Sequence, residues 1–152
     1  MGSASPGGIE QEIKDFFESY GAAFERRDPE EISKHFAYPA HVATEGHQVM
    51  LTPVLSSSEW THQLKRLLEM YQRIDVRTAR ILAISVTPLS SLLVHARLRW
   101  GLGDSHGERL YDFDAVYTLG RFGHEWKVIA IAHNELPRYW ACLEAHRSPA
   151  QH

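Results

Sequence analysis

One cysteine, Cys142, is present in 152 residues. No internal disulfide can therefore form, and a reducing, cytoplasmic setting is expected. No run of about 18 uninterrupted apolar residues occurs, which excludes a conventional membrane helix and a membrane as partner. The opening "MGSASPGG" lacks the apolar core of a secretory signal. Neither sign of charge dominates: 16 Lys and Arg stand against 19 Asp and Glu, for a formal net charge of −3. With no basic stripe beside loop aromatics, nucleic acid is not an expected partner. Ten histidines are present, but HxH, HExxH and cysteine clusters are missing, so no metal is expected. "GLGDSHG" joins one strand to another and offers no helix N-terminus to a phosphate. Cys142 lies in the tail and the serines at 56 to 58 read as a helix cap, which leaves no nucleophilic triad. No cofactor is expected.

What the chain does have is apolar material, 43% of its residues, enough for one domain to bury a core. Residues 9–146 read as that domain, between flexible segments at 1–8 and 147–152. Ile9, Ile13, Phe16, Phe17, Tyr20 and Phe24 recur at helical spacing, predicting a long first helix. "DPEEISKHF" restarts a short helix, with Asp28 as cap and Pro29 at the first helical position. Residues 39–52 read as a hairpin about Glu45 and Gly46. A third helix follows, opened by Ser56 and Glu59 at capping-box spacing and carrying the stripe Trp60, Leu64, Leu67, Leu68, Tyr71 and Ile74.

The second half is β-rich, with runs near 76–87, 91–102, 108–119 and 125–134 joined by short turns. Pro137 is placed to start a final helix. Helices first and strands later predict an α+β fold, with three N-terminal helices packed on a curved, antiparallel or mixed sheet.

Alternation gives each strand two faces. In "RLYDFDAVYTLG" it puts Asp112, Asp114 and Val116 opposite in facing to Tyr111, Phe113, Ala115 and Tyr117. In the preceding strand His95, Arg97 and Arg99 share the polar side. A hairpin around "GDSHG" would set Arg97 against Asp112 and His95 against Asp114, or, slipped by two, Arg99 against Asp112 and Arg97 against Asp114. Two readings follow. The charged side is a salt ladder on an outer face or in a dimer contact, or it lines a cavity in which Asp114 acts as acid or base.

The segments "YGAAFERRD", "EEISKHF" and "YTLGRFGHEWKVIAIAH" resemble the nuclear transport factor 2-like superfamily over about residues 9–145. The resemblance implies the cystatin-like cone fold, shared by ketosteroid isomerases, SnoaL-like cyclases, dehydratases and non-enzymatic modules. It also implies a homodimer. Carried over from the ketosteroid isomerase pattern, the oxyanion tyrosine falls on Tyr20, eight residues before Asp28. The second oxyanion acid falls on Asp114 if the "LGRFGHE" turn is two residues longer than usual, and on Val116 with the commoner turn length. The general-base position falls on Thr44, which cannot serve, with Glu45 adjacent.

A ligand pocket is expected among Tyr20, Tyr38, Trp60, Arg97, Trp100, Tyr111, Phe113 and Tyr117. Two functions fit: a small-hydrophobic-ligand-binding, self-associating module, or a cofactor-independent lyase or isomerase acting on a hydrophobic carbonyl or polyketide-like compound. The second would use Tyr20 and Asp114 as oxyanion or acid groups and His95 as base.

Overall fold

The computed structural model describes residues 6–147; the terminal residues expected to be flexible, 1–5 and 148–152, lie outside the described residues. Helix α1 (Pro6–Glu25) begins ahead of Ile9, so residues 6–8, expected in the flexible segment, are helical. It buries Ile9, Ile13, Phe17 and Tyr20 along the predicted stripe. α2 (Pro29–Ser33) is capped as its sequence requires, with Asp28 Oδ1 accepting from the Glu31 N–H at 3.1 Å. It is shorter than expected, because Lys34 and His35 form a turn and Phe36 begins a strand. β1 (Phe36–Glu45) and β2 (Val49–Val54) form the hairpin about Gly46. α3 (Ser57–Arg73) follows, with Ser56 Oγ accepting from the Glu59 N–H at 3.1 Å. Then come β3 (Thr78–Pro88), β4 (Leu93–Gly103), β5 (Arg109–Phe122), β6 (Glu125–His133) and α4 (Glu135–Arg147).

The expected helix arrangement needs correction. Only α1 and α2 precede the sheet, the β1–β2 hairpin separates them from α3, and α4 is a fourth helix running through Arg147. The sheet is mixed, in the order β2-β1-β6-β5-β4-β3, antiparallel throughout except where β1 runs parallel to β6. That parallel contact follows from the path: α3 and four strands intervene between β1 and β6, so no tight turn ties them.

One face of the sheet carries Val94, Ala96, Leu98, Trp100 and Leu102 from β4 and Phe113, Ala115, Tyr117 and Leu119 from β5, all buried beneath the helices. Gly21 lets α1 come down onto this face, since a Cβ there would lie 3.1 Å from the Trp100 ring. Trp126 Nε1 donates to Glu12 Oε1 at 2.8 Å and fixes the other end of α1 over β6.

The opposite face holds the charges. Arg99 stands across from Asp114, and Gly101 across from Asp112, a pairing two residues beyond the second of the expected registers. The turn explains the shift. Asp104 Oδ1 accepts from the N–H groups of His106 and Glu108, Gly107 adopts φ +81, and β4 extends to Gly103 before the chain reverses. Arg99 then serves both acids, with Nη1 3.1 Å from both Asp114 oxygens and Nη2 2.6 Å from Asp112 Oδ1. Arg97 faces Val116 instead of an aspartate.

This two-facedness separates the costs of neighbouring substitutions. Leu98→Ala empties a fully buried site and should lower the unfolding free energy by about 2–5 kcal/mol. Asp114→Ala, next to it across the ladder, breaks a half-exposed ion pair and should cost about 1 kcal/mol or less. Urea unfolding of the two variants measures both.

Candidate functional site

Between the helices and the apolar sheet face lies a cavity of about 90 Å³. A single water needs about 10–15 Å³ by this measure, so there is room for a small organic molecule. α1 contributes Tyr20 and Phe24 to its wall, α3 contributes Trp60, Leu64, Leu68 and Tyr71, and the sheet contributes Trp100, Phe113, Ala115 and Tyr117. His133 from the end of β6 and Glu135 from the start of α4 interrupt this apolar wall, and Glu25, Arg27 and Arg77 line the cavity as well.

Glu135 is 8% exposed. The Tyr71 hydroxyl donates to its Oε2 at 2.6 Å and the Tyr111 hydroxyl donates to the same oxygen at 2.8 Å. Oε1 accepts no hydrogen bond among the described residues. Burial pushes the Glu135 carboxyl up to about 7, against the opposing effect of the two phenols, which favour the carboxylate. Burial also lowers the pKa of His133. The His133 Nδ1 accepts from the Glu135 N–H at 3.2 Å, so the ring proton resides on Nε2, which lies 3.2 Å from Thr44 Oγ1. The imidazole is thus neutral, in one tautomer and one orientation. The phenols of Tyr20 and Tyr117 are raised by burial above all, and remain protonated donors. Trp100 Nε1 donates to the Tyr117 hydroxyl oxygen at 2.8 Å.

Of the residues singled out from the sequence, Tyr20, Trp60, Trp100, Phe113 and Tyr117 stand on the cavity wall. Tyr111 sends its hydroxyl to Glu135. Tyr38 does not join them; its hydroxyl donates to the Ser33 carbonyl at 2.7 Å. His95, Arg97 and Asp114 stand on the far face of the sheet, because their strand positions are odd-numbered in β4 and even-numbered in β5, opposite to the buried set. The trio Tyr20, Asp114 and His95 is therefore not assembled. The β-sheet itself lies between Tyr20 and the other two.

Glu135 was not among the candidates. In "AIAHNELP" it reads as an acidic residue in the first turn of a helix, where acids are ordinary. The available signal was that His133, Asn134 and Glu135 end an apolar strand abruptly, where the chain leaves the sheet beside the aromatic positions.

The curved six-stranded sheet closed by helices over an internal cavity defines a cystatin-like α+β protein. The chain belongs to the family described as NTF2-like protein (DUF6841), whose model matches residues 11–136. It is also similar in fold to an NTF2-like protein of unknown function from Pseudomonas putida, at 17% identity and TM-score 0.68, over 86% of this chain and 89% of that one. An NTF2-like protein with a cystatin-like fold from Novosphingobium aromaticivorans gives 14% identity and TM-score 0.67, over 84% and 81%. A protein of unknown function with a cystatin-like fold from Nostoc punctiforme gives 8% and 0.68, over 88% and 94%. No curated protein matches the chain. No helix among the described residues is long and apolar enough to cross a membrane.

The raised carboxyl makes stability depend on pH with a definite sign. Between the ordinary carboxylate value of 4.5 and about 7, the folded chain holds a proton on Glu135 that the unfolded chain has released. Stability contributed by this group is complete below pH 4.5 and is lost as pH rises through that window, by up to about 3 kcal/mol. Glu135→Gln keeps an acceptor for both phenols and removes the titration. Urea midpoints at pH 5 and pH 8 should fall less between the two values in the variant than in the wild type.

Proposed function

We propose that this protein binds a small, predominantly apolar molecule in the cavity, with the polar end of that molecule meeting Glu135. The observation that carries this reading is Glu135 itself: a buried carboxyl whose Oε1 has no protein partner, set in an aromatic wall with room beside it. A ligand hydroxyl or carbonyl would complete its hydrogen bonding, as donor to the carboxylate or acceptor from the carboxylic acid.

The shift of Glu135 toward neutrality favours a second reading. A group that titrates near 7 can both take and return a proton, as a cofactor-independent isomerase or lyase requires. In this reading Glu135 replaces Asp114 and His95 in the acid–base role, acting on a hydrophobic carbonyl compound, with the protonated Tyr20 phenol available to a developing oxyanion.

Self-association fits the other face of the sheet. That face mixes His95, Arg97 and Arg99 with Asp112 and Asp114, and exposes Leu93, Val116 and Phe122. With Arg99 already paired to Asp112 and Asp114, this face is close to neutral and partly apolar, which suits an isologous contact, and the partner we propose is a second copy of this chain. Light scattering at micromolar concentration should give a dimer mass, and a monomer mass would remove this part of the proposal.

For the cavity, a thermal-shift screen should use neutral aromatic ketones, phenols and terpenoid alcohols on the wild type, Glu135→Gln and Tyr20→Phe. A compound at a hundred times its dissociation constant adds about 2.7 kcal/mol, a shift of several degrees. Stabilisation of the wild type that is diminished in Glu135→Gln supports the reading; no stabilisation by any compound refutes it. For a ketone that binds, deuterium exchange at its α-carbon, followed by NMR, decides the second reading. Loss of catalysed exchange by about a hundredfold or more in Glu135→Gln is expected if this carboxyl is the base.

A further inference from the structure

Four charged side chains besides His133 line the cavity, and they are not equally occupied. Glu135 lies among the phenols. Glu25 Oε2 accepts from the Ala79 N–H at 2.8 Å and pairs with Arg80. The other two, Arg27 and Arg77, stand at the mouth, where α1 ends and the chain enters β3. Arg27 reaches the Val76 carbonyl through Nη2 at a long 3.4 Å, and no carboxylate pairs with it among the described residues. Arg77 donates through Nε to Asp75 Oδ1 at 2.9 Å, while Ser105 occupies the other oxygen of Asp75 through its hydroxyl and its N–H. The terminal nitrogens of Arg77 have no protein partner among the described residues. Two guanidinium groups with most of their donors unspent therefore flank one opening.

Two helices end beside this opening, α1 with the Asp28 N–H bonded to the Ala23 carbonyl and α3 with the Val76 N–H bonded to the Tyr71 carbonyl, and each closes through a left-handed residue. Among the described residues, only Arg27 (φ +57) and Asp75 (φ +62) are non-glycine residues in the left-handed region. A side chain at such a φ crowds its own backbone, and glycine is the relaxed choice. Arg27 is thus held against a conformational cost, as is Asp75, the residue that holds Arg77. Glu135 takes its hydrogen bonds from Tyr71 and Tyr111, and neither arginine bonds to it among the described residues.

We propose that the ligand carries a carboxylate at the end of its apolar body opposite the group that meets Glu135: the body enters the cavity and the carboxylate is met at the mouth by Arg27 and Arg77. Guanidinium and carboxylate match in planar, bidentate geometry, which gives the opening a preference for this anion. This inference rests on the ligand-binding reading above and assigns the ligand's charge and direction of entry.

The test compares phenylacetate, 3-phenylpropanoate and 4-phenylbutanoate with their primary amides, by calorimetric titration at low ionic strength. Each pair has the same body and differs in charge. The wild type should bind the best carboxylate at least about tenfold more tightly than its amide, and added salt should narrow the gap. Arg27→Gly and Arg77→Gln should each reduce the ratio, and together bring it to about one. Arg27→Gly should melt no lower than the wild type, since glycine relaxes φ +57, so a change in the ratio cannot be ascribed to unfolding. If acid and amide bind equally, or the amide binds better, the carboxylate assignment is overturned while the ligand-binding reading stands. Persistence of the preference in the double variant overturns the role of these arginines. If neither acids nor amides bind at any chain length, this inference fails, and the reading beneath it fails with it only if the neutral compounds of the thermal-shift screen also give no stabilisation.

Discussion

Moving a carboxyl group out of water costs several kcal/mol unless it is protonated or well hydrogen-bonded, and that cost governs the end of the molecule where β6 becomes α4. Glu135 is reached by a phenol from α3 and a phenol from β5. Its own backbone N–H is held by His133 of β6. Four elements thus share one group. Tyr139 extends the arrangement, its hydroxyl donating to the Met70 carbonyl at 2.7 Å and fastening α4 to the last turns of α3. The start of α4 is fixed less by its own sequence than by the need to satisfy the acid that opens it. Tyr71 and Tyr111 are in turn fixed as donors, because burial and the nearby carboxyl both raise their pKa values.

The second constraint is the pleat. Once Leu98 and Ala115 face the helices, Arg99 and Asp114 must face away, and no local preference can reverse one without the other. The two aspartates of β5 are therefore answered across the strand by a single arginine. They stabilise the outer ladder modestly, and their chemistry is closed to the cavity. An acid at the same height but on the turn out of β6 is not bound by that alternation, which is how Glu135 comes to lie inside while Asp114 lies outside.

These two constraints also mark how far the sequence can be read. The caps at Asp28 and Ser56, the apolar stripes of α1 and α3, the hairpin about Gly46 and the facing of every residue in β4 and β5 follow from local spacing and are legible in the chain. The β4–β5 register is less so, because it depends on the side chain of Asp104 capping a turn that could have closed one or two residues earlier. The parallel β1–β6 contact has no local signature at all. Of the cavity, the aromatic wall was legible, since Tyr20, Trp60, Trp100, Phe113 and Tyr117 lie on faces that periodicity assigns. The acid was not, because the burial of Glu135 is created by α3 and β5, more than 20 positions away in the chain.

The unfavourable features of the fold gather at one end. Around Ile13, Phe17, Leu119 and Val128 the core is fully apolar and closed. Near the β4–β5 turn, by contrast, a carboxyl is held out of water, two side-chain-bearing residues are held at left-handed φ, and a guanidinium is left without a carboxylate. Each feature reduces stability by itself, and each would be relieved by a common substitution, glutamine for the acid or glycine for the arginine. The two left-handed residues are the ones that close α1 and α3, with the Asp28 and Val76 N–H groups bonded back to the Ala23 and Tyr71 carbonyls, so their φ values belong to helix termination. The carboxyl and the two guanidinium groups keep an unspent acceptor or donors toward the cavity, and a ligand of the proposed kind would engage them together.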